Sequence, residues 1–336
     1  MTDPASMRRA RLPLAPFLLI CLVGVALASL GFGAVALGPA RLLAALAGHG
    51  DRVAAIILFD LRLPRLIVGL MVGGMLGLAG ATLQGYLRNP LAEPSVLGAS
   101  NAAALGAVVA IYFGLYARLP IALPVLAILF ALIALALLFL LSGRSESPLG
   151  LILAGVALSA LSSAGVSLAL NLSPNPFAAM EIMAWLLGSL ENRSMDHVWI
   201  AAPCILAGAT LLLLDARALD ALSLGEDGAR SLGVDLRRTR ARLMLGVAIG
   251  VGGAVAVSGA IGFVGLIVPH IMRPLTDRRP SAILIPSMLG GATLLIAADV
   301  LVRVAPTTNE LKLGVVTAFL GVPIFLLHLL KERRAW

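Results

Sequence analysis

Residues 221–242 read ALSLGEDGARSLGVDLRRTRAR, the longest polar interruption in an otherwise apolar chain. The flanking sequence reads as membrane spans arranged around it. Ser223 is placed to cap a short helix whose first turn carries Glu226 and Asp227 and whose last turn carries Arg230, the charge order a helix dipole favours. Gly233 then supplies a left-handed stop. Asp235 is placed to cap a second short helix bearing Arg237 and Arg238, after which Arg240 and Arg242 lead into the next apolar run. Two short helices joined by a glycine and lying flat at a membrane face fit a socket on a soluble partner. The same spacing also fits a merely solvated loop.

The composition around this loop excludes a soluble domain. Of 336 residues, 60% are hydrophobic and 12% charged, and the mean hydropathy is +1.02. A bilayer core about 30 Å thick needs roughly 20 apolar residues per helical span, so the chain has room for about ten spans with short connections. The expectation is an all-α polytopic membrane protein, a single transmembrane domain over residues 1–336 with 221–242 as a cytosolic loop within it. The net charge of +8 does not point to nucleic acid, because the basic residues sit mainly at the ends of apolar runs. Cys21 and Cys204 both lie inside apolar runs and support neither a disulfide framework nor a thiolate metal site.

In order, spans are expected at about 13–37, 64–86, 96–115, 120–141, 149–170, 197–214, 243–259, 261–272, 281–298 and 313–330. Pro39 to Asp60 reads as an amphipathic outer piece, Asn171 to Asn192 as an outer segment with a short helix, and Asp299 to Leu311 as another outer piece. Gly69, Gly73 and Gly77 recur every fourth residue, a spacing that permits close helix approach. On this topology eight basic residues lie outside: Arg41, Arg52, Arg62, Arg65, Arg118, Arg193, Arg303 and Lys312. The other seventeen of the 25 lie inside, which places both termini in the cytosol.

What the spans lack narrows the chemistry. Ion-coupled transporters usually bury carboxylates or histidines in mid-membrane, yet here Glu93, Glu146, Glu181 and Asp299 fall in loops or at span ends. That disfavours the alternative of a stand-alone secondary transporter or channel. No P-loop is present either, since the two lysines, Lys312 and Lys331, each follow a leucine rather than a glycine. Energy for pumping would have to arrive through a partner.

Several stretches together resemble a known family. They are LRLPR (61–65), GATLQGYLRNPLAEPSVLG (80–98), LILAGVALS (151–159), AWLLGSL (184–190), LGEDGARSLGVDL (224–236), GAIGFVGLIVPHIMR (259–273) and ELKLGVVTAFLGVPIFLLHLLK (310–331). The set is similar to the FecCD family, the permease subunits of type II ABC importers for ferric siderophores, haem and cobalamin. The resemblance implies the type II ABC importer permease fold with ten transmembrane helices, and a second copy of the chain as partner. It also implies two ATP-binding cassette subunits that carry ATP and Mg, a periplasmic substrate-binding protein, and a place in the bacterial inner membrane. No cofactor, metal or catalytic residue is expected on this chain itself.

Residue by residue, the resemblance makes Gly225, Glu226, Ala229, Arg230 and Gly233 contacts for the ATPase. It makes Arg62, Arg65 and Arg303 outer-face arginines that receive acidic residues of the binding protein, a role for which guanidinium groups are suited. Asn89 and Leu91, with Ser147 and Pro148, match a cytoplasmic gate, although Pro148 departs from the pair of small hydroxyl residues that family members can carry. Ser159, Ser162, Ser163 and Ser167 offer a polar stripe for the path wall. The expected cargo is a large metal chelate, with ferric siderophore first, haem next and cobalamin after it.

Overall fold

The computed structural model describes residues 14–33, 35, 37–49, 51–142, 148–306 and 310–333. Among them the chain forms helices and connecting turns, with no strand. In order these are α1 (Leu14–Gly31), α2 (Pro39–Leu46), α3 (Arg52–Ala55), a π-helical stretch (Ile56–Arg62) and α4 (Leu63–Leu87). Then come α5 (Ala99–Tyr112), α6 (Leu115–Arg118), α7 (Ala122–Ser142), α8 (Pro148–Asn171) and α9 (Pro176–Leu186). The second half has α10 (Met195–Leu214), α11 (Ala216–Leu222), α12 (Glu226–Ser231), α13 (Leu236–Ser258), α14 (Val264–Met272), α15 (Pro280–Val304) and α16 (Leu313–Arg333).

Seven segments among the described residues are long and apolar enough to cross a membrane: α1, residues 52–87, 122–141 and 149–171, α10, α13 and α15. The expected third and eighth spans are α5 and α14, with 14 and 9 residues. At about 1.5 Å per residue, α14 covers only about half of a 30 Å hydrocarbon layer. α4 and α13 are the most buried of the long helices and α1 the least, so α4 and α13 form the centre of the bundle.

Small residues let this centre close. Gly73 and Gly77 place backbone against backbone: a Cβ at Gly73 would stand 2.5 Å from the Gly291 carbonyl oxygen of α15, and one at Gly77 would overlap the Ser287 carbonyl, whereas Gly69 faces the Ile296 and Leu190 side chains. Gly80 meets Gly265 of α14 in the same way, and Gly208 of α10 packs on Gly246 and Gly250 of α13. Without water to drive association inside a bilayer, such close packing supplies the attraction between helices.

Four expectations are corrected. The segment from Pro39 to Asp60 is not one piece: Pro39–Leu46 is a separate short helix, whereas from Arg52 the chain runs on to Leu87 as one continuous helical segment. Pro64 stands in its path, and the wider π-helical turn before it accommodates a residue without an amide hydrogen. Asp299 does not begin a loop: α15 continues to Val304 with the Asp299 side chain fully buried. The second short helix of the polar loop merges into the following span, giving the single 23-residue α13. Finally, Ser223 does not cap α12, a position that Gly225 takes, but closes α11 by donating to the Asp220 carbonyl at 2.6 Å.

The packing makes a direct test. Gly77→Val drives a side chain into backbone that no rotamer change can relieve, so it should lower stability by about 1–3 kcal/mol or more. Gly24→Ala on α1, where a Cβ meets nothing within 4 Å, should leave thermal unfolding in detergent unchanged.

Candidate functional site

Two polar regions sit at opposite ends of α15. Near its start, Asp220 of α11 accepts from the Ser281 amide at 2.9 Å and from the Ser281 hydroxyl at 2.6 Å. This carboxylate satisfies amide hydrogen-bonding capacity that a helix start leaves open. Asp299 lies eighteen residues further on, about 27 Å along the helix axis, close to the thickness of a hydrocarbon core. The first end carries the polar elbow formed by α11 and α12, and the second carries an arginine-rich rim.

The elbow is built by local rules. Gly225 (φ +92°) and Gly233 (φ +81°) hold backbone that L-residues avoid, one before α12 and one after it. Val234 N–H donates to the Ala229 carbonyl at 3.0 Å and Gly233 N–H to the Arg230 carbonyl at 2.9 Å, the paired closure of a Schellman stop. Arg230 meets Asp227 at 2.9 Å and Glu226 at 3.6 Å, while Ala229 is buried beneath. Thus Gly225, Glu226, Ala229, Arg230 and Gly233 form one knuckle. Asp235 caps α13 as expected, accepting from the Arg238 amide at 3.0 Å. Behind it the buried Asp215 pairs with Arg242 at 2.8 Å, and burial pushes its pKa up despite that partner.

At the rim, Arg65 reaches both Asp299, at 2.7 Å, and Glu310, at 2.6 Å. Arg303 reaches the other Asp299 oxygen at 3.0 Å. Arg303 also donates to the Ser29 carbonyl at 3.0 Å, the Phe32 carbonyl at 3.2 Å and the Ser29 hydroxyl at 2.7 Å. Arg62, only 6% exposed, donates to the carbonyls of Leu30 at 2.5 Å, Gly31 at 2.9 Å and Val35. Arg62 and Arg303 therefore close the end of α1, where orphan carbonyls and the negative end of the helix dipole favour cations. The three arginines expected to await a partner's carboxylates are engaged by carboxylates and carbonyls of their own chain. These internal contacts lay beyond sequence reading, because Ser29, Arg62, Asp299 and Glu310 are far apart in the chain.

Other matched stretches converge beside the rim. Leu313 N–H donates to the Gly188 carbonyl at 2.9 Å, Gly314 N–H to the Leu187 carbonyl at 3.0 Å and Ser189 N–H to the Ser258 carbonyl at 2.8 Å. Gly188 and Gly259 adopt φ of +69° and +70°, so AWLLGSL, GAIGFVG and ELKLGVV share one backbone knot. Tyr116, beyond α5 on this side, donates to the Glu181 carboxylate of α9. That hydrogen bond, with burial and the carboxylate charge, pushes the phenol up to about 12.

At the opposite end, the turn after α4 is held by Asn89, whose Oδ1 accepts from the Leu91 amide at 2.9 Å, and Leu91 is exposed. Ser147 lies outside the described residues, and Pro148 begins α8. Ser159 donates to the Ser95 carbonyl at 2.7 Å and so ties α8 to the loop that holds Leu91. Ser163 and Ser167 continue that stripe and are exposed, with Ser167 bonded to the Ser163 carbonyl at 3.0 Å, whereas Ser162 is buried. Gln84 was not singled out from the sequence. Buried in α4, it donates to the Leu266 carbonyl at 3.1 Å and accepts from Arg273 at 3.1 Å, joining α4 to α14.

A bundle of membrane-length helices with a fastened rim at one end of α15 and a polar knuckle near the other is a multi-pass membrane protein. The chain belongs to the FecCD transport family, which it matches over residues 19–331. It is 40% identical over 326 residues to the Fe(3+) dicitrate transport system permease protein FecD of Escherichia coli, covering 96% of this chain and all of that one. It is 38% identical over 327 residues to the hemin transport system permease protein HmuU of Yersinia pestis, covering 94% and 95% of the two chains. A solved structure described as an inward-facing conformation of a metal-chelate type ABC transporter superposes with a TM-score of 0.85 at 35% identity, covering 95% of this chain and 99% of that one.

Two outcomes check the rim. Asp299→Asn removes the buried charge between two guanidinium groups and should cost roughly 3–5 kcal/mol of stability, whereas Arg41→Ala, which breaks the exposed Arg41–Asp51 pair, should leave the melt unchanged. Because the Tyr116 phenol is raised above its ordinary value near 10, the stability it contributes is complete below about pH 10 and is lost as pH rises through about 12. Glu181→Gln should return that titration towards 10, read by ultraviolet phenolate absorbance.

Proposed function

We propose that this chain is the membrane-spanning permease subunit of an ATP-driven importer, which passes a large metal chelate from a soluble periplasmic binding protein into the cytosol. The observation that carries this reading is similarity along nearly the whole chain to permeases named for Fe(3+) dicitrate and hemin transport. In this reading the seven long segments together with α5, α14 and α16 make ten spans in the bacterial inner membrane, with both termini in the cytosol. The elbow then faces the cytosol and the rim the periplasm. Two copies enclose the path, and two ATP-binding cassette subunits hold ATP and Mg. The cargo classes to test are ferric siderophore first, then haem, then cobalamin.

The elbow supports a coupling role because its charges are arranged to be rigid. Arg230 is tied to the α12 carboxylates, glycine stops fix the knuckle at both sides, and Asp220 fastens the adjoining α11 to the start of α15. A push on α12 therefore reaches α15 through packed and hydrogen-bonded contacts. Arg62, Arg65 and Arg303 shape the rim that the binding protein meets. The turn bearing Asn89 and Leu91, with the stretch at Ser147 and Pro148, closes the cytosolic end of the path. Ser159, Ser163 and Ser167 line its wall, and Ser162 backs them from inside the bundle. ATP-driven closure of the partner subunits shifts the elbow and alternates access to the cavity.

The experiment is the mass and composition of the complex purified in mild detergent. Two copies with two ATPase subunits are expected, while a lone chain that transports without ATP would overturn the reading. The double exchange Glu226→Arg with Arg230→Glu keeps the net charge of α12 and an opposite-charge pair on it but reverses the order of those charges along the helix. It should abolish co-purification of the ATPase while the helical fold stays inserted.

A further inference from the structure

α10 turns one stripe of side chains away from the bundle. Trp199, Leu206 and Leu214 are exposed along it, while Ile205, Gly208 and Leu212 between them face inward. α13 packs beside it, Gly208 against Gly246 and Gly250, and repeats the pattern. Arg242 and Leu245 are exposed, whereas Leu243 and Met244 are buried. α10 packs mainly on α13 and α4, and α8 on α5 and α7, so the α10 side of this face is separate from the serine stripe of α8.

The two ends of this face differ. Exposed tryptophan such as Trp199 is characteristic of a membrane–water interface. Leu214 lies about 22 Å further along the helix axis, and there the apolar stripe meets guanidinium groups. Arg217 is exposed and makes no hydrogen bond or ion pair with any other described residue. Arg242 is nearly half exposed, and its 2.8 Å bond to the buried Asp215 uses only part of a five-donor fork. Because Asp215 and Arg217 are two residues apart, that bond brings Arg242 to the same junction of α10 and α11. Phosphate is an anion that the planar fork of arginine matches. A soluble anion would engage the arginines and leave the leucines uncovered, whereas an anionic phospholipid covers both with one molecule.

We propose that the α10–α13 face at the elbow end binds an anionic phospholipid, with its phosphate between Arg217 and Arg242 and its acyl chains over Leu206, Leu214 and Leu245. The proposal goes beyond the permease reading and rests on it only for the leaflet, which is the cytosolic one. Asp215 stands where α10 hands over to α11, so the bound headgroup adjoins the hinge that carries the elbow.

The test titrates phosphatidylglycerol into the complete, delipidated transporter in mild detergent, with phosphatidylcholine as reference and bound lipid counted by native mass spectrometry. Wild type should bind phosphatidylglycerol more tightly, and Arg217→Gln should weaken that binding about fivefold, the effect of one basic residue near a lipid surface. Arg242→Gln combined with Asp215→Asn removes the second cation without stranding a buried charge and should weaken it similarly. Arg237→Gln removes the same charge from a face that continues into the buried Met244 and Ala248, and should leave the affinity unchanged. Equal losses from Arg217→Gln and Arg237→Gln reduce the effect to diffuse surface charge and overturn the proposal. Displacement of the lipid by inorganic phosphate at constant ionic strength marks a soluble-anion site and overturns it too. Binding by the isolated chain that is lost in the complete transporter assigns the face to the ATPase subunit, and equal affinity of wild type for both lipids leaves no site; either result overturns the proposal. None of these outcomes bears on whether transport requires ATP, which tests the permease reading separately.

Discussion

The buried carboxylate of Asp299 holds the rim of this protein together. An isolated ionised carboxylate in a region of low dielectric carries a desolvation penalty of several kcal/mol. Here two guanidinium groups face it, Arg65 from α4 and Arg303 from its own helix. Glu310 balances the second positive charge, so two cations and two anions form a neutral cluster. Because Arg303 also bonds the carbonyls ending α1, the same cluster fixes the least buried long helix to the most buried one. The rim is therefore a fastening before it is a surface.

The opposite end follows a related logic at lower charge density. Asp220 joins the elbow to the start of α15, and Asp215 pairs with Arg242 beneath it. α15 is thus tied at both ends, to the elbow and to the rim, by ionic or charge-assisted contacts rather than by packing alone. Between those ends the close approach to α4 runs through Gly73, Gly77 and Gly291 with little space for adjustment. A tightly packed helix fixed at both ends moves as a unit, which suits a protein whose proposed work is to link events on two membrane faces.

Much of the architecture was legible in the sequence because its causes are local. Apolar runs near membrane length, the glycine spacing of α4, the stop at Gly233 and the cap at Asp235 each follow from a few neighbouring residues. Legibility failed where a residue's setting depended on distant parts of the chain. Pro64 reads as a helix start, but a π-helical turn carries the helix through it. Asp299 reads as the beginning of a loop because a lone carboxylate disfavours a buried site, and its two guanidinium partners lie outside any local window. Gly225 takes the cap position expected of Ser223 because α11 ends where a cap for α12 was expected.

The arginines mark this boundary most clearly. Their positions near the ends of apolar runs, and so their place at one face of the bundle, were set by the sequence alone. Which intrachain partners each of them finds was decided by tertiary structure, since hydrogen-bond satisfaction depends on what the folded chain brings within about 3 Å. Arg62, Arg65 and Arg303 carry the family resemblance, and each is also bonded to carboxylates or carbonyls of its own chain. Arg193, which local pattern gave no reason to single out, has a buried Nε without a hydrogen-bond partner, while the nearby Glu191 pairs with Lys312.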